Sequence, residues 1–268
     1  MFLIPRDIET QFRHSLGAIS PLMCIADIAS QELTSNLSQY KISKLSKKYK
    51  HKRLNARSIN IDEVSLYVNL AHIAYINSRA ESFCEDVVCF IKKITGNTES
   101  YNVDSVDFLR KAIFQVYVRK NNLKKSPKKL DKSIYIDFAG QEELLIIDYF
   151  RRMRNVEFHG GVDTEKENFF LSEKSKIGIS LKFKHCPNNF DDLNIRDIIL
   201  YSQAWQSVAK TLCSKLIDID DNFLSKITKK YINDDEKRRN NALRQKLKQD
   251  YLQPDYIIDM LETNGWVA

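Results

Sequence analysis

The chain has 268 residues, with 42 Lys and Arg against 35 Asp and Glu, a net charge of +7. Its seven Gly and five Pro are few where an average chain carries about 12% of the two together. That excludes collagen and the many tight turns of a sandwich, barrel or propeller. Hydrophobic residues make up 43% of the chain, enough to bury a core, and no window approaches the roughly 18 consecutive apolar residues of a membrane span.

The apolar start Met1-Phe2-Leu3-Ile4 is short and no basic segment precedes it, so no secretory signal is expected. Ile8, Phe12, Leu16 and Ile19 share one helical face. Ser20-Pro21 opens a second helix through Leu22, Ile25, Ile28, Ala29 and Leu33. Residues 41–57 hold eight Lys or Arg and no acid, a solvated linker whose charge attracts phosphates. Asp62 begins the longest helical pattern, which runs through Val64, Tyr67, Val68, Phe83, Val87 and Ile91 and stops at Gly96. The next starts at Asp104 and fades at Asn121-Asn122, before a basic loop with Lys124, Lys125, Lys128 and Lys129 around Pro127.

Gly140 to Glu143 opens a helix over about 141–160, with acids on its first turn and Gly160-Gly161 at its end. Then the period changes. Phe169 to Leu171, and Ile177, Ile179, Leu181 and Phe183 alternating with Gly178, Ser180, Lys182 and Lys184, predict a small β-hairpin near 168–184. Residues 193–219 return to helix. Residues 221–268 are charged but helical in period, with a break at Pro254. The expected fold is all-α: a multi-helix bundle over 1–220 with an inserted hairpin, and a charged helical extension over 221–268.

The five cysteines are odd in number and form no CxxC pair. Cys24, Cys84, Cys89 and Cys213 lie in apolar helical stretches and read as small hydrophobes in a reducing cytoplasm, with no disulfide framework, structural metal or cofactor. Cys84, Cys89, His185 and Cys186 could gather round a metal on paper, but the i, i+5 spacing of the first two suits chelation poorly. His72 reads as a core or dimer-face histidine and His185 as a surface one.

One segment stands apart, Asp148 to Gly161. On a helix, Asp148, Arg152, Asn155 and His159 make a polar stripe, and Arg151 joins Asn155 and His159 at steps of four. Arg154 lies about 140° from His159 and flanks that stripe. The plain reading is a solvent-facing stripe with an Asp148–Arg152 pair. The chemical reading is attack on an RNA phosphodiester. Arg stabilises charge building on the phosphate, His moves protons near neutral pH, and Asn orients either group. No clustered carboxylates accompany them to hold two metal ions. The nucleophile is then RNA's own 2′-OH, leaving a 2′,3′-cyclic phosphate and a 5′-OH. Such a step needs both an acid and a base, and one chain offers one histidine here. A two-fold dimer that brings two copies of this helix end together supplies both.

Arg154-Asn155-Val156-Glu157-Phe158-His159, at the end of an apolar helix and followed by Gly, resembles the Arg-x(4–6)-His signature of the HEPN superfamily (higher eukaryote and prokaryote nucleotide-binding). The resemblance spans about residues 60–217. It implies a helical bundle and a metal-independent, homodimeric endoribonuclease, with Arg154 and His159 catalytic and Asn155 supporting. It also implies a toxin–antitoxin or antiviral defence setting with an antitoxin or defence-system partner. Relatives often hold an acid on the helix beside the motif helix, so Glu81 is a candidate brace for Arg154, although the plain reading is an ordinary surface pair of Glu81 or Glu85 with a nearby Lys. Arg151 is a second supporting residue, and Lys124, Lys125, Lys128 and Lys129 are candidate RNA contacts. Where some HEPN toxins carry a Tyr two residues after the His, this chain has Gly161, which puts silencing by a partner nucleotidyltransferase in doubt. The alternative is a non-catalytic HEPN-type module that binds nucleotide, RNA or a partner protein. A plain helical interaction protein is a third reading.

Overall fold

The structure is a computed structural model. It describes residues 4–18, 20–36, 38, 40–41, 44, 47, 63–98, 107–123, 127–159 and 171–263, with only the backbone described at residues 34 and 156–159. Among the described residues the chain is all-helical with no strand. In order come α1 (Pro5–Gly17), α2 (Ser20–Asn36), α3 (Val64–Thr95), α4 (Phe108–Lys120), α5 (Lys132–Ala139), α6 (Gln141–His159), α7 (Glu173–Phe183), α8 (Ile195–Ser214), α9 (Asp221–Thr228), α10 (Glu236–Asp250) and α11 (Asp255–Thr263). No described helix is long and apolar enough to cross a membrane.

The chain divides into two compact units, one of residues 1–14, 79–144 and 205–268, the other of residues 15–78 and 145–204. The first is built round Trp205, fully buried, with Phe108 stacked on it at 5.7 Å and Phe12 edge-on at 6.4 Å. Phe83 stacks on Phe12 at 4.6 Å. Asp107 starts α4 as its N-cap, its side chain accepting from the N–H of Leu109 and Arg110 and satisfying donors that the first turn leaves open. Arg119, at the end of α4, is fully buried. It donates from Nε to the Asn97 carbonyl at 3.2 Å and from Nη1 to Gln115. Lys120 pairs with Asp218 at 2.7 Å. Arg119 and Lys120, just before the basic loop, are therefore held inside the fold, not in solvent. Within α9 to α11, Leu224, Ile227, Leu243, Leu247, Ile258 and Leu261 form an apolar cluster of their own.

The second unit buries Leu70, Ile73, Ile76, Ile146, Ile147, Phe150, Met153 and Tyr201. Phe150 and Tyr201 pack at 5.1 Å, and the Tyr201 hydroxyl donates to Asn77 Oδ1 at 2.6 Å. Helix α2 runs against expectation. Met23, Asp27 and Ser30 are its buried residues, while Leu22, Ile25 and Ile28 are exposed.

The hairpin expected near 168–184 is corrected. Residues 173–183 are helix α7, and residues 168–170 lie outside the described ones. Ser172 caps the start by accepting from the Ser175 N–H, and Lys184 closes the end in the left-handed region with φ 60, its N–H donating to the Ser180 carbonyl. A Glu173–Lys176 pair at 2.8 Å spans the first turn. These local bonds satisfy the backbone without a ladder partner. Ile177, Ile179 and Leu181 then cannot share a face, because two helical residues turn by about 200°. Ile179 is fully buried, while Ile177 and Leu181 point to solvent.

Candidate functional site

Helix α6 begins at a sharp junction. Gly140 caps α5 with φ 86, and its N–H donates to the Ile136 carbonyl. Glu143, on the first turn of α6, is buried and accepts from Ser207 Oγ at 2.5 Å. Glu142 and Glu143 sit where the helix dipole favours negative charge. Leu144, Ile146, Ile147, Tyr149, Phe150 and Met153 are buried, and this apolar face presents the polar residues between them on the other side.

On that other side Asp148 and Arg151 pair at 3.5 Å and are both half-buried. Arg152, the partner that the spacing suggested for Asp148, is exposed. Arg154 and Asn155 are half-buried. At helical steps of three and four, Asp148, Arg151 and Asn155 follow one another, while Arg154 stands about 60° round from Arg151, toward the buried Ile147 and Phe150. Helix α6 carries the backbone to His159, whose side chain lies outside the described residues, as do Gly160 and Gly161.

The other candidates are dispersed. Glu81 is exposed on α3 in the first unit, where it lines a cavity of about 410 Å³ with Cys84, Glu85, Lys92, Phe108 and Lys111. Arg154 belongs to the second unit. Lys128 and Lys129 are exposed, while Lys124 and Lys125 lie outside the described residues. Of the four cysteines expected to be buried, Cys84 and Cys213 are; Cys24 and Cys89 are exposed. Burial pushes the Cys84 and Cys213 thiols up, helped by Asp107 near the first and Glu9 near the second. Among the described residues no group of three or more His, Cys, Asp or Glu could hold a metal ion.

Two arrangements in the second unit escaped the sequence. Asp197 is fully buried and accepts from His185 Nε2 at 3.2 Å, from the Asn188 N–H and Nδ2 at 3.0 Å each, and from the Asn194 N–H at 2.9 Å. Asn194 in return accepts from the Arg196 N–H at 2.9 Å. This is a reciprocal capping box at the start of α8, and its Asn-x-x-Asp spacing was the legible signal. His185 is thereby tied down, not a free surface residue. Tyr149 donates to the Asn188 carbonyl at 2.6 Å; burial pushes its phenol up, with Asp197 and Cys186 adding to the shift. The second arrangement pairs α2 with α3. His72 Nδ1 and Asp27 Oδ1 are both buried without a hydrogen-bond partner. Burial lowers the His72 pKa, and the nearby Asp27 charge opposes that.

Against protein-family models, curated proteins and solved structures, the chain shows no match.

Proposed function

We propose that this chain is a metal-independent endoribonuclease of the HEPN type, working in the cytoplasm as a homodimer in a toxin–antitoxin or antiviral defence role. The observation that carries the reading is the polar side of α6. Arg151 and Asp148 pair there with Asn155 half-buried on the same side, and Arg154, also half-buried, flanks them about 40° round the helix from the fully buried Phe150, which with Met153 anchors the opposite side. A helix with such a firm apolar anchor presents its cations in a fixed geometry, which transition-state stabilisation requires. Arg154 binds the scissile phosphate through its planar fork and stabilises the charge that grows on the phosphorane oxygens. His159 takes the 2′-OH proton in one protomer, and its counterpart in the second protomer protonates the 5′-oxygen leaving group. Asn155 orients Arg154 or the phosphate, Arg151 adds positive charge, and Lys124, Lys125, Lys128 and Lys129 draw in the strand. Support for the second copy comes from the second unit, where Leu22, Ile25 and Ile28 follow one another on α2 as exposed large apolar residues, surface that a partner can cover.

The test is cleavage of single-stranded RNA in excess EDTA, with end-group analysis. The expected products carry 2′,3′-cyclic phosphate and 5′-OH ends, and a substrate with a 2′-deoxy residue at the cut stays whole. His159→Ala removes the activity and flattens the residual pH–rate profile. Arg154→Lys keeps the charge, loses the fork and loses most of the rate, while Asn155→Ala is milder. RNA that binds but is never cut would favour the non-catalytic binding module. An Arg154→Lys protein with undiminished activity would remove Arg154 from the site.

A further inference from the structure

A second polar site lies in the first unit, on helices that the motif does not use. The end of α8 and the corner between α10 and α11 surround a cavity of about 470 Å³ lined by Lys210, Thr211, Lys215, Lys248, Gln253 and Tyr256 among others. Lys210, Lys215 and Lys248 line it together with one carboxylate, Asp255, whose pKa is lowered by its hydrogen bond from Lys248 and further by the charge of Lys210. Asp255 thus serves two of the three cations, and a phosphate, which carries more negative charge than one carboxylate, competes with it for them.

The pairs already present are of unequal strength. Lys215 is anchored: its Nζ lies 2.7 Å from both oxygens of Asp137 and 5.5 Å above the Phe138 ring. Lys248 holds Asp255 at 2.7 Å, but both side chains are largely exposed, and an exposed pair of this kind exchanges readily. Lys210 is exposed and, among the described residues, takes part in no ion pair. The wall is stiff. Gln253 is buried, and its Nε2 donates to the Ser214 carbonyl at 2.8 Å and the Tyr251 carbonyl at 2.9 Å. Leu252 turns the corner in the left-handed region at φ 57, a conformation that a branched residue adopts only when its surroundings impose it. Tyr256, also in the lining, is 68% exposed. A flat, exposed ring beside a cluster of ammonium groups is the pairing that recognises a base and its phosphate.

We propose that this cavity binds a nucleotide unit, its phosphate between Lys210 and Lys248 and its base on Tyr256. The unit is either a free mononucleotide or one residue of a single-stranded RNA. The site does not depend on α6, so binding read directly separates it from the ribonuclease proposal.

The experiment titrates the full chain at low salt with adenosine 5′-monophosphate, with inorganic phosphate and with an eight-nucleotide oligoadenylate. Wild type is compared with the Lys210→Glu/Lys248→Glu double variant and with Tyr256→Ala, each first checked for an unchanged thermal melt. If the double charge reversal unfolds the chain, Lys210→Gln/Lys248→Gln replaces it. The double variant should lose about tenfold or more in affinity for the mononucleotide. Tyr256→Ala should weaken the mononucleotide and leave inorganic phosphate unchanged. An oligoadenylate that binds no better than the mononucleotide identifies a free nucleotide as the ligand. One that binds about tenfold tighter, with the same dependence on both lysines, identifies an RNA strand. A wild-type chain that binds neither the mononucleotide nor the oligoadenylate overturns the proposal, as does a double variant with wild-type affinity for those two probes.

Discussion

His72 illustrates how much a single side chain's chemistry depends on where the fold puts it. Its burial lowers its pKa against the opposing field of Asp27. The folded chain therefore binds fewer protons than the unfolded one once the pH falls below the ordinary histidine value of 6.5. Stability then rises with pH up to about 6.5 and is lost as the pH falls from there through the lower folded value. In urea unfolding, the wild-type midpoint should fall between pH 7 and pH 5, and His72→Gln should show a smaller fall. Equal slopes in the two proteins would mean that His72 titrates alike in both states. The thiols divide in the same way. In the native state iodoacetamide should modify Cys24 and Cys89, which are exposed, and spare Cys84 and Cys213, which are buried with raised pKa values, until denaturant is added. Mass mapping of the alkylated cysteines checks this. The sequence placed all four in apolar helices correctly but could not sort them, because exposure of Cys24 depends on which face of α2 turns inward. That helix buries Asp27 and Ser30 instead of Leu22 and Ile25, against ordinary hydrophobic patterning.

At the scale of elements, long periodic segments were legible and short ones were not. Helices α3, α6 and α8 follow from apolar positions at steps of three and four, and Gly96 falls just beyond the end of α3. Helix α5 lies almost wholly in a stretch to which the sequence assigned no element, between the basic loop and Gly140, and only Tyr135, Phe138 and Ala139 are buried in it. The α7 segment carries a period of two yet is a helix, because its caps satisfy the backbone locally. That assignment makes a sharp prediction. Ile179→Lys puts an ammonium into a fully buried position and should destabilise by about 3 kcal/mol or more. Leu181→Lys and Ile177→Lys, on the outer faces, should each stay within about 0.5 kcal/mol. A hairpin would treat all three alike, since they would share one face, and denaturant midpoints decide between the two. The junction before α6 is equally specific. A Cβ on Gly140 would stand 2.2 Å from Glu143 Oε2, at a φ of 86 that side chains rarely adopt. Gly140→Ala should therefore destabilise by about 1–3 kcal/mol. A variant as stable as wild type would mean that Glu143 gives up its bond from Ser207 without loss.

At the scale of the whole molecule, the motif's place at the end of an apolar helix in an all-helical chain was legible, because α6 has a strong apolar period and glycines follow it. What the spacing could not supply is the company that its residues keep. Asp148 chose Arg151 over Arg152, and the neighbours of Asp197 come from a loop whose path no local pattern encodes. The same limit applies to assembly. The proposed cleavage, if it draws acid and base from one histidine per chain, requires two chains, and the second unit offers Leu22, Ile25 and Ile28 at 60–61% exposure on α2. Such residues are expensive to leave in water and favourable to cover. The chain should therefore sediment as a dimer at micromolar concentration, and Leu22→Lys/Ile25→Lys, which adds charge where apolar surface would be covered, should sediment as a monomer. Both positions are exposed, so the monomer should keep the wild-type melting temperature to within a few degrees. If the site is composite, that folded monomer should cut RNA at least about a hundredfold more slowly, the scale of losing one proton-transfer partner. Mixing an excess of a His159→Ala chain with wild type should also depress activity by more than dilution, since heterodimers would lack one of the two groups. A double variant that is monomeric and fully active would place acid and base within a single chain, and the second histidine would then have to be found there.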